Sequence, residues 1–142
     1  MALNDKIQIG PEIVAVTNGA LVANDAFSAA SAVVDNSATL YPYARFVLVP
    51  NFAIAPAAGS VVVMYMQHIE VDGVNSAPVP SATYQHDFIY SFKLDSVPGA
   101  QYLESPLFEI PDKFALVFQN NATGQDLPAG WAATVKLRGF GS

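Results

Sequence analysis

His68 and His86 are the only imidazoles in this 142-residue chain, and no cysteine accompanies them. Nucleophilic or metal chemistry would have to be built around those two positions and the carboxylates near them. His68 and Glu70 stand two residues apart, a spacing that puts both side chains on one face of a β-strand. With His86 supplied by another strand they would make a two-histidine, one-carboxylate set of the kind that holds a transition metal. A complete metal-binding pattern of that type needs a His-x-His pair with a further Glu and His, which the chain lacks. The pair therefore reads as the wet end of a strand leaving the core. A hydrolytic triad has no better footing. His86 and Asp87 are sequence neighbours, which a strand points to opposite faces, and there is no Gly-x-Ser-x-Gly elbow. The expectation is a protein that is not an enzyme and holds no metal and no cofactor.

Binding chemistry has more candidates. Asn120, Asn121 and Asp126 lie in or beside a polar loop and offer the hard oxygen ligands that calcium takes. The same residue types are ordinary turn formers that bond their own backbone. Trp131 follows that loop directly and is placed to stack a sugar ring, with Tyr41, Tyr43, Tyr84 and Tyr102 as further aromatic candidates. The competing reading makes Trp131 a core anchor, because its face continues through Ala133, Val135 and Leu137. Glu104 and Glu109 lie in different local contexts, and nothing in the sequence sets the separation that glycoside hydrolysis needs. The four residues Asn120, Asn121, Asp126 and Trp131 are thus expected as a ligand-facing loop.

The elements that must position these groups are strands. Residues 131–138 alternate cleanly, with Trp131, Ala133, Val135 and Leu137 opposing Ala132, Thr134, Lys136 and Arg138. Residues 86–95 alternate as well, with His86, Phe88, Tyr90, Phe92 and Leu94 on one face. Residues 40–49 and 113–121 read as strands, and residues 61–71 are apolar on both faces, which predicts a central strand covered on both sides. Asn18-Gly19, Asp72-Gly73 and Pro98-Gly99 are turn signals. The strands around the loop at 122–130 read as a hairpin. Residues 27–34 fit a short helix or a strand equally well. Residues 1–11 read as an extended N-terminal arm, with Leu3, Ile7, Ile9 and Pro11 as candidate partner-binding positions. Residues 12–142 then form one domain, an all-β antiparallel sandwich that is jelly-roll-like.

Composition narrows the function classes. Only 13% of residues are charged and 52% are hydrophobic, against about 25% charged in an ordinary soluble domain. So few charges predict that much of the outside is covered by copies of the chain or by a partner. The net charge is −6, from 12 acids and six scattered bases, which disfavours nucleic acid and anionic membranes alike. The longest uncharged run, residues 46–67, contains Pro50, Asn51, Pro56 and Gly59 and reads as strand, turn, strand rather than a membrane helix.

The run Phe88-Ile-Tyr-Ser-Phe, followed by the stretch from Ile110-Pro-Asp-Lys-Phe through Asn-Asn-Ala-Thr-Gly-Gln-Asp-Leu-Pro-Ala-Gly, resembles small virion proteins of tailed bacteriophages. The nearest group is the jelly-roll capsid decoration, or cement, proteins. The resemblance covers roughly the C-terminal half. It implies a structural protein made in the bacterial host cytoplasm and carried on the virion, on the capsid exterior. It implies the major capsid protein as partner, and a homo-oligomer, dimer or trimer, as the working form. A carbohydrate-binding module of a tail or fibre is the alternative.

Overall fold

The computed structural model describes residues 7–85 and 87–140. Period-two burial organises them. In β11 (Trp131–Phe140), Trp131, Ala133, Val135 and Leu137 are buried while the residues between them are half-exposed. In β3 (Tyr43–Val49), Ala44, Phe46 and Leu48 are buried in the same rhythm. Each is a strand with one face on a core and one face outward.

These two strands are the centre of a five-stranded antiparallel sheet. β1 (Ile7–Gly19) pairs with β11, which pairs with β3, and two short strands, β8 (Leu103–Glu104) and β9 (Phe108–Glu109), share the far edge of β3. A second sheet runs in the order β2 (Val34–Asp35), β10 (Lys113–Asn121), β5 (Val61–His68), β6 (Phe88–Lys93). A two-stranded ribbon of β4 (Asn51–Phe52) and β7 (Gly99–Ala100) completes the set. The described residues contain no helix. The protein is an all-β antiparallel sandwich.

The core fills the gap between the sheets. Phe46, Leu48, Val135 and Leu137 from one side meet Phe114, Leu116, Phe118, Met64, Met66 and Phe92 from the other. Aromatic edges interlock there, with Phe46 against Phe114 at 6.2 Å and Tyr90 against Phe92 at 5.0 Å. Each such side chain contributes ~1.5–3 kcal/mol on burial. Strand β5 is apolar on both faces because both are covered. Val63 and Tyr65 turn away from the core into a second cluster with Val117, capped by Phe27.

The segment at 27–34, which fits a short helix or a strand equally well in the sequence, forms no helix and becomes a strand only at Val34, where β2 starts. It runs as an irregular edge along β10, held partly by serine hydroxyls. Ser28 N–H donates to Phe118 O and Ser31 N–H to Leu116 O, at 2.7 and 2.8 Å. In return Phe118 and Leu116 donate their N–H groups to Oγ of Ser28 and Ser31, at 2.9 Å each. Side-chain oxygens thus replace the backbone carbonyls that a regular strand would present.

Four expectations change. The strands flanking residues 122–130 are not a hairpin, because β10 and β11 lie in different sheets and the loop crosses between them. The alternation of β6 breaks at an irregularity beside Met64 and Tyr65, where Phe88 pairs with Tyr65 and Tyr90 with Met64. Phe88 accordingly faces outward, 6.2 Å from the Tyr65 ring, while Tyr90 and Phe92 face the core. The strand at 61–68 ends at His68, and Glu70 has a left-handed backbone with φ of 52°. Lastly, residues 7–11 belong to β1, where Ile7, Gln8 and Ile9 pair with Phe140, Gly139 and Arg138. The register shifts between Ile9 and Glu12, so Pro11, which has no N–H to give, sits in that irregularity. Leu3 and the start of the expected arm lie outside the described residues.

Candidate functional site

The loop that joins the sheets spends its polar groups on itself. Asn120 is 1% exposed. Its Nδ2 donates to Val22 O at 3.1 Å and to Gln125 O at 2.7 Å, and its Oδ1 accepts from Thr123 Oγ1 at 2.7 Å. Thr123 is as deeply buried. The facing turn joins in, with Ala122 N–H donating to Asp25 Oδ1 and Gly124 N–H to Asn24 Oδ1. Of the expected ligand-facing residues, Asn120 points inward, Asn121 donates to Gln119 Oε1 on its own strand, and Asp126 is exposed. They do not converge on one point.

Trp131 is a core anchor and no stacking platform. It is 2% exposed, donates Nε1–H to Ala20 O at 2.8 Å and meets Phe118 edge-on at 5.3 Å. Gly19 lies on its indole so closely that a Cβ there would come within 2.3 Å of the ring. The loop and the tryptophan therefore close the sandwich at this end instead of offering a ligand face.

At the opposite end, the His68 and Glu70 pairing read from the sequence is dissolved by the end of the strand. Glu70 turns away and accepts from Lys113 Nζ at 2.8 Å, which holds the lysine above its ordinary pKa. His68 Nε2 lies 3.8 Å from Asp87 Oδ1. Among the described residues no group of three or more His, Cys, Asp or Glu is placed to hold a metal ion. His86 lies outside the described residues.

Two surfaces remain. The first is the excursion at 69–87 between β5 and β6, which presents Val71, Val74, Val79 and Tyr84 to solvent, with Phe88 at its foot. Val74, at the tip, is 80% exposed. The excursion is braced: Asp72 accepts from the N–H groups of Val74 and Asn75 and from Asn75 Nδ2, and those bonds pull its pKa down to about 2. Further along, Gln67 Nε2 donates to Ala77 O and Ala77 N–H to His68 O. The second is a recess of about 440 Å³ lined by Gln8, Thr39, Tyr41, Tyr43 and Gly139 among others. Buried Asn36 sets its wall. Asn36 Oδ1 accepts from Tyr41 N–H at 3.1 Å and Thr39 Oγ1 at 2.6 Å, and Nδ2 donates to Tyr41 O.

Sequence reasoning singled out Tyr41 and Tyr43 but missed Asn36, whose only signal was its place in a Ser-, Asn- and Asp-rich turn. It placed no candidate in the excursion, where the valines around Pro78 and Pro80 were the available signal. Of the expected arm positions, Ile9 is 76% exposed and Pro11 is exposed, both on β1. No protein-family model matches the chain, and no curated protein matches it in sequence.

Proposed function

We propose that this is a structural virion protein that binds the outer surface of a phage capsid and stabilises contacts between major capsid subunits. The observation that carries the reading is the braced excursion between β5 and β6. Apolar side chains held outward on an ordered loop leave water only when something covers them, and apolar patches of this kind mark contact sites. The strand order supports a jelly roll as the particular sandwich, since the strands of the two sheets interleave in sequence, with β8 and β9 together filling one edge of the five-stranded sheet. Jelly rolls serve in viral shells and lectins among other proteins, an argument from analogy of fold. In this reading no bond is made or broken. The protein binds the assembled shell and not its loose subunits, so the binding free energy stabilises the shell, and repetition over the lattice multiplies the effect. Its place is the capsid exterior, after synthesis in the host cytoplasm, and its partner is the major capsid protein.

The test mixes the protein with virions of the encoding phage stripped of it. Wild type should co-sediment, and Val74→Asp should weaken attachment at least tenfold while leaving the melting temperature unchanged. Attachment that ignores Val74→Asp and Phe88→Ser would sink the assignment of this surface. Failure to bind the stripped particle at all would sink the capsid reading.

A second reading, a carbohydrate-binding module of a tail or fibre, is favoured by the recess at Tyr41 and Tyr43. Aromatic rings beside an amide and a hydroxyl, without a charged group among the described lining residues, suit a neutral sugar. Glycan-array binding that Tyr43→Ala abolishes would put this reading first.

A further inference from the structure

The outer face of the five-stranded sheet is the electrically neutral face of an acidic molecule. Its middle strands carry three cations: Arg45 on β3, and Lys136 and Arg138 on β11. The flanking strands carry three carboxylates: Glu12 on β1, Glu104 on β8 and Glu109 on β9. The three cations project outward, because Ala44, Phe46, Val135 and Leu137 of the same strands are buried, and the three carboxylates share their face, being level with Lys136, Val47 and Tyr43 in the register. The remaining charged residues of the described chain are eight acids and two lysines, Lys93 and Lys113. The whole net charge of −6 therefore sits on the other sheet and the loops. The rest of the described chain carries more carboxylates than lysines, whereas this face carries as many cations as carboxylates.

The face also holds exposed apolar side chains. Ile9 and Val14 stand out from β1 at 76% and 57% exposure, beside Arg138 and Thr134, their cross-strand partners on β11. Glu12 is level with Lys136 in the same register. A two-fold axis between β1 and β11, parallel to the strands, would lay β1 of each copy over β11 of the other. Every level is preserved by that rotation. Glu12 of one copy then faces Lys136 of the second, Val14 faces Thr134, and Ile9 lies on the aliphatic stem of Arg138. Within that overlap β1 carries the carboxylate of Glu12 and β11 the ammonium of Lys136 at the same level, so the two-strand strip complements itself there, as an isologous interface must.

We infer that the outer face of β1 and β11 is a homodimer interface, with a second copy of this chain as its occupant and Glu12–Lys136 as the pair that fixes its register. The inference stands on charge and register, and not on the capsid reading. Charge complementarity of this kind selects the partner and suppresses misaligned encounters.

Sedimentation equilibrium of the purified full chain tests it without any capsid. Wild type should be a concentration-dependent dimer. Glu12→Lys and Lys136→Glu, each alone, should weaken dimerisation at least tenfold, because each puts like charges face to face. Mixed one to one, the two variants should recover a heterodimer, since the opposite charges meet again. Lys136 also bonds Glu104 at 2.8 Å, so its reversal risks the fold. Val14→Lys, a change at an exposed position on the same face, supplies the independent check and should weaken the dimer as well. A wild type that stays monomeric at several hundred micromolar overturns the proposal. So does a dimer indifferent to both Glu12→Lys and Val14→Lys. Glu12→Lys abolishing particle attachment while wild type is a monomer would hand the face to the capsid and likewise refute the dimer. Loss of the dimer with attachment intact, or the reverse, separates this inference from the capsid reading.

Discussion

Asn120 and Thr123 act as a clasp. Between them they tie the loop after β10 to the segment at Val22; removing Asn120 takes one donor each from Val22 O and Gln125 O and the acceptor of Thr123 Oγ1, and removing Thr123 leaves the buried Asn120 Oδ1 without its donor. Asn120→Ala should cost ~1–3 kcal/mol of unfolding free energy, measured by urea titration, with the fold otherwise unchanged. Gly19 sits in a comparably tight place. A Cβ there would meet the indole of Trp131 at 2.3 Å. Gly19→Ala should destabilise by ~1–3 kcal/mol as an overpacked site, and most of that loss should disappear in a Trp131→Leu background. Asp72 gives a pH signature. An unfolded aspartate titrates near 3.9, whereas this one is pulled down to about 2 by its bonds to Asn75 and Val74. A depressed carboxylate contributes stability above the unfolded value and loses it as pH falls toward the folded one. The Val74 and Asn75 amide resonances should therefore hold steady above pH 4 and shift with a midpoint near pH 2, and Asp72→Asn should abolish that shift. Asp72-Gly73 was legible as a turn from its residue types. Asn120 was misread as ligand-facing because residue type does not say which way a side chain at a strand end points.

Among the elements, β3, β5, β10 and β11 were legible because one buried face writes a period of two into the sequence, or a continuous apolar run where both faces are covered. The edge at 27–33 was not, since its ladder runs through Ser28 and Ser31 hydroxyls, and a hydroxyl bond leaves no periodicity. Ser31→Ala should speed amide hydrogen exchange at Leu116, and Ser28→Ala at Phe118, each with a loss of ~0.5–1.5 kcal/mol. Unchanged exchange would mean that water replaces the hydroxyl without cost. The face of Phe88 was misassigned because a one-residue irregularity reverses every side chain beyond it. The supposed hairpin failed for a related reason. A Gly- and Pro-containing loop announces that the chain turns, but whether the next strand joins the same sheet depends on what the rest of the chain leaves vacant.

At the scale of the whole molecule, the β-sandwich was legible from strand count, turn spacing and the lack of any helical pattern, whereas the boundary at residue 11 was not. The alternation of Ile7 and Ile9 was too short to reveal that Gln8 and Ile9 pair with Gly139 and Arg138. Deleting residues 1–10 should therefore lower the melting temperature. It strips the end of β1 from β11 and removes Gly10, on which the Tyr41 ring lies too closely for a Cβ. A loss of 1 kcal/mol corresponds to roughly 2–8 °C for domains of this size range, so differential scanning calorimetry resolves it easily. An unchanged melting temperature would restore the free arm.

The position of β11 between β1 and β3 has a consequence in time. The five-stranded sheet lacks its middle until the last strand exists, and Ile7 must wait for Phe140, at the far end of the described chain. At ~5–20 residues per second of synthesis, β1 and β3 emerge seconds before the strand that joins them. Through that interval Phe46, Leu48 and Ile13 have no completed sheet to hold them, and non-local pairing of this kind is slow even afterwards. The nascent chain thus passes through a window in which the apolar faces of β1 and β3 are open to aggregation or to a chaperone. Mutations in β11 should act first on the yield of folded protein, before any effect on the stability of what has folded.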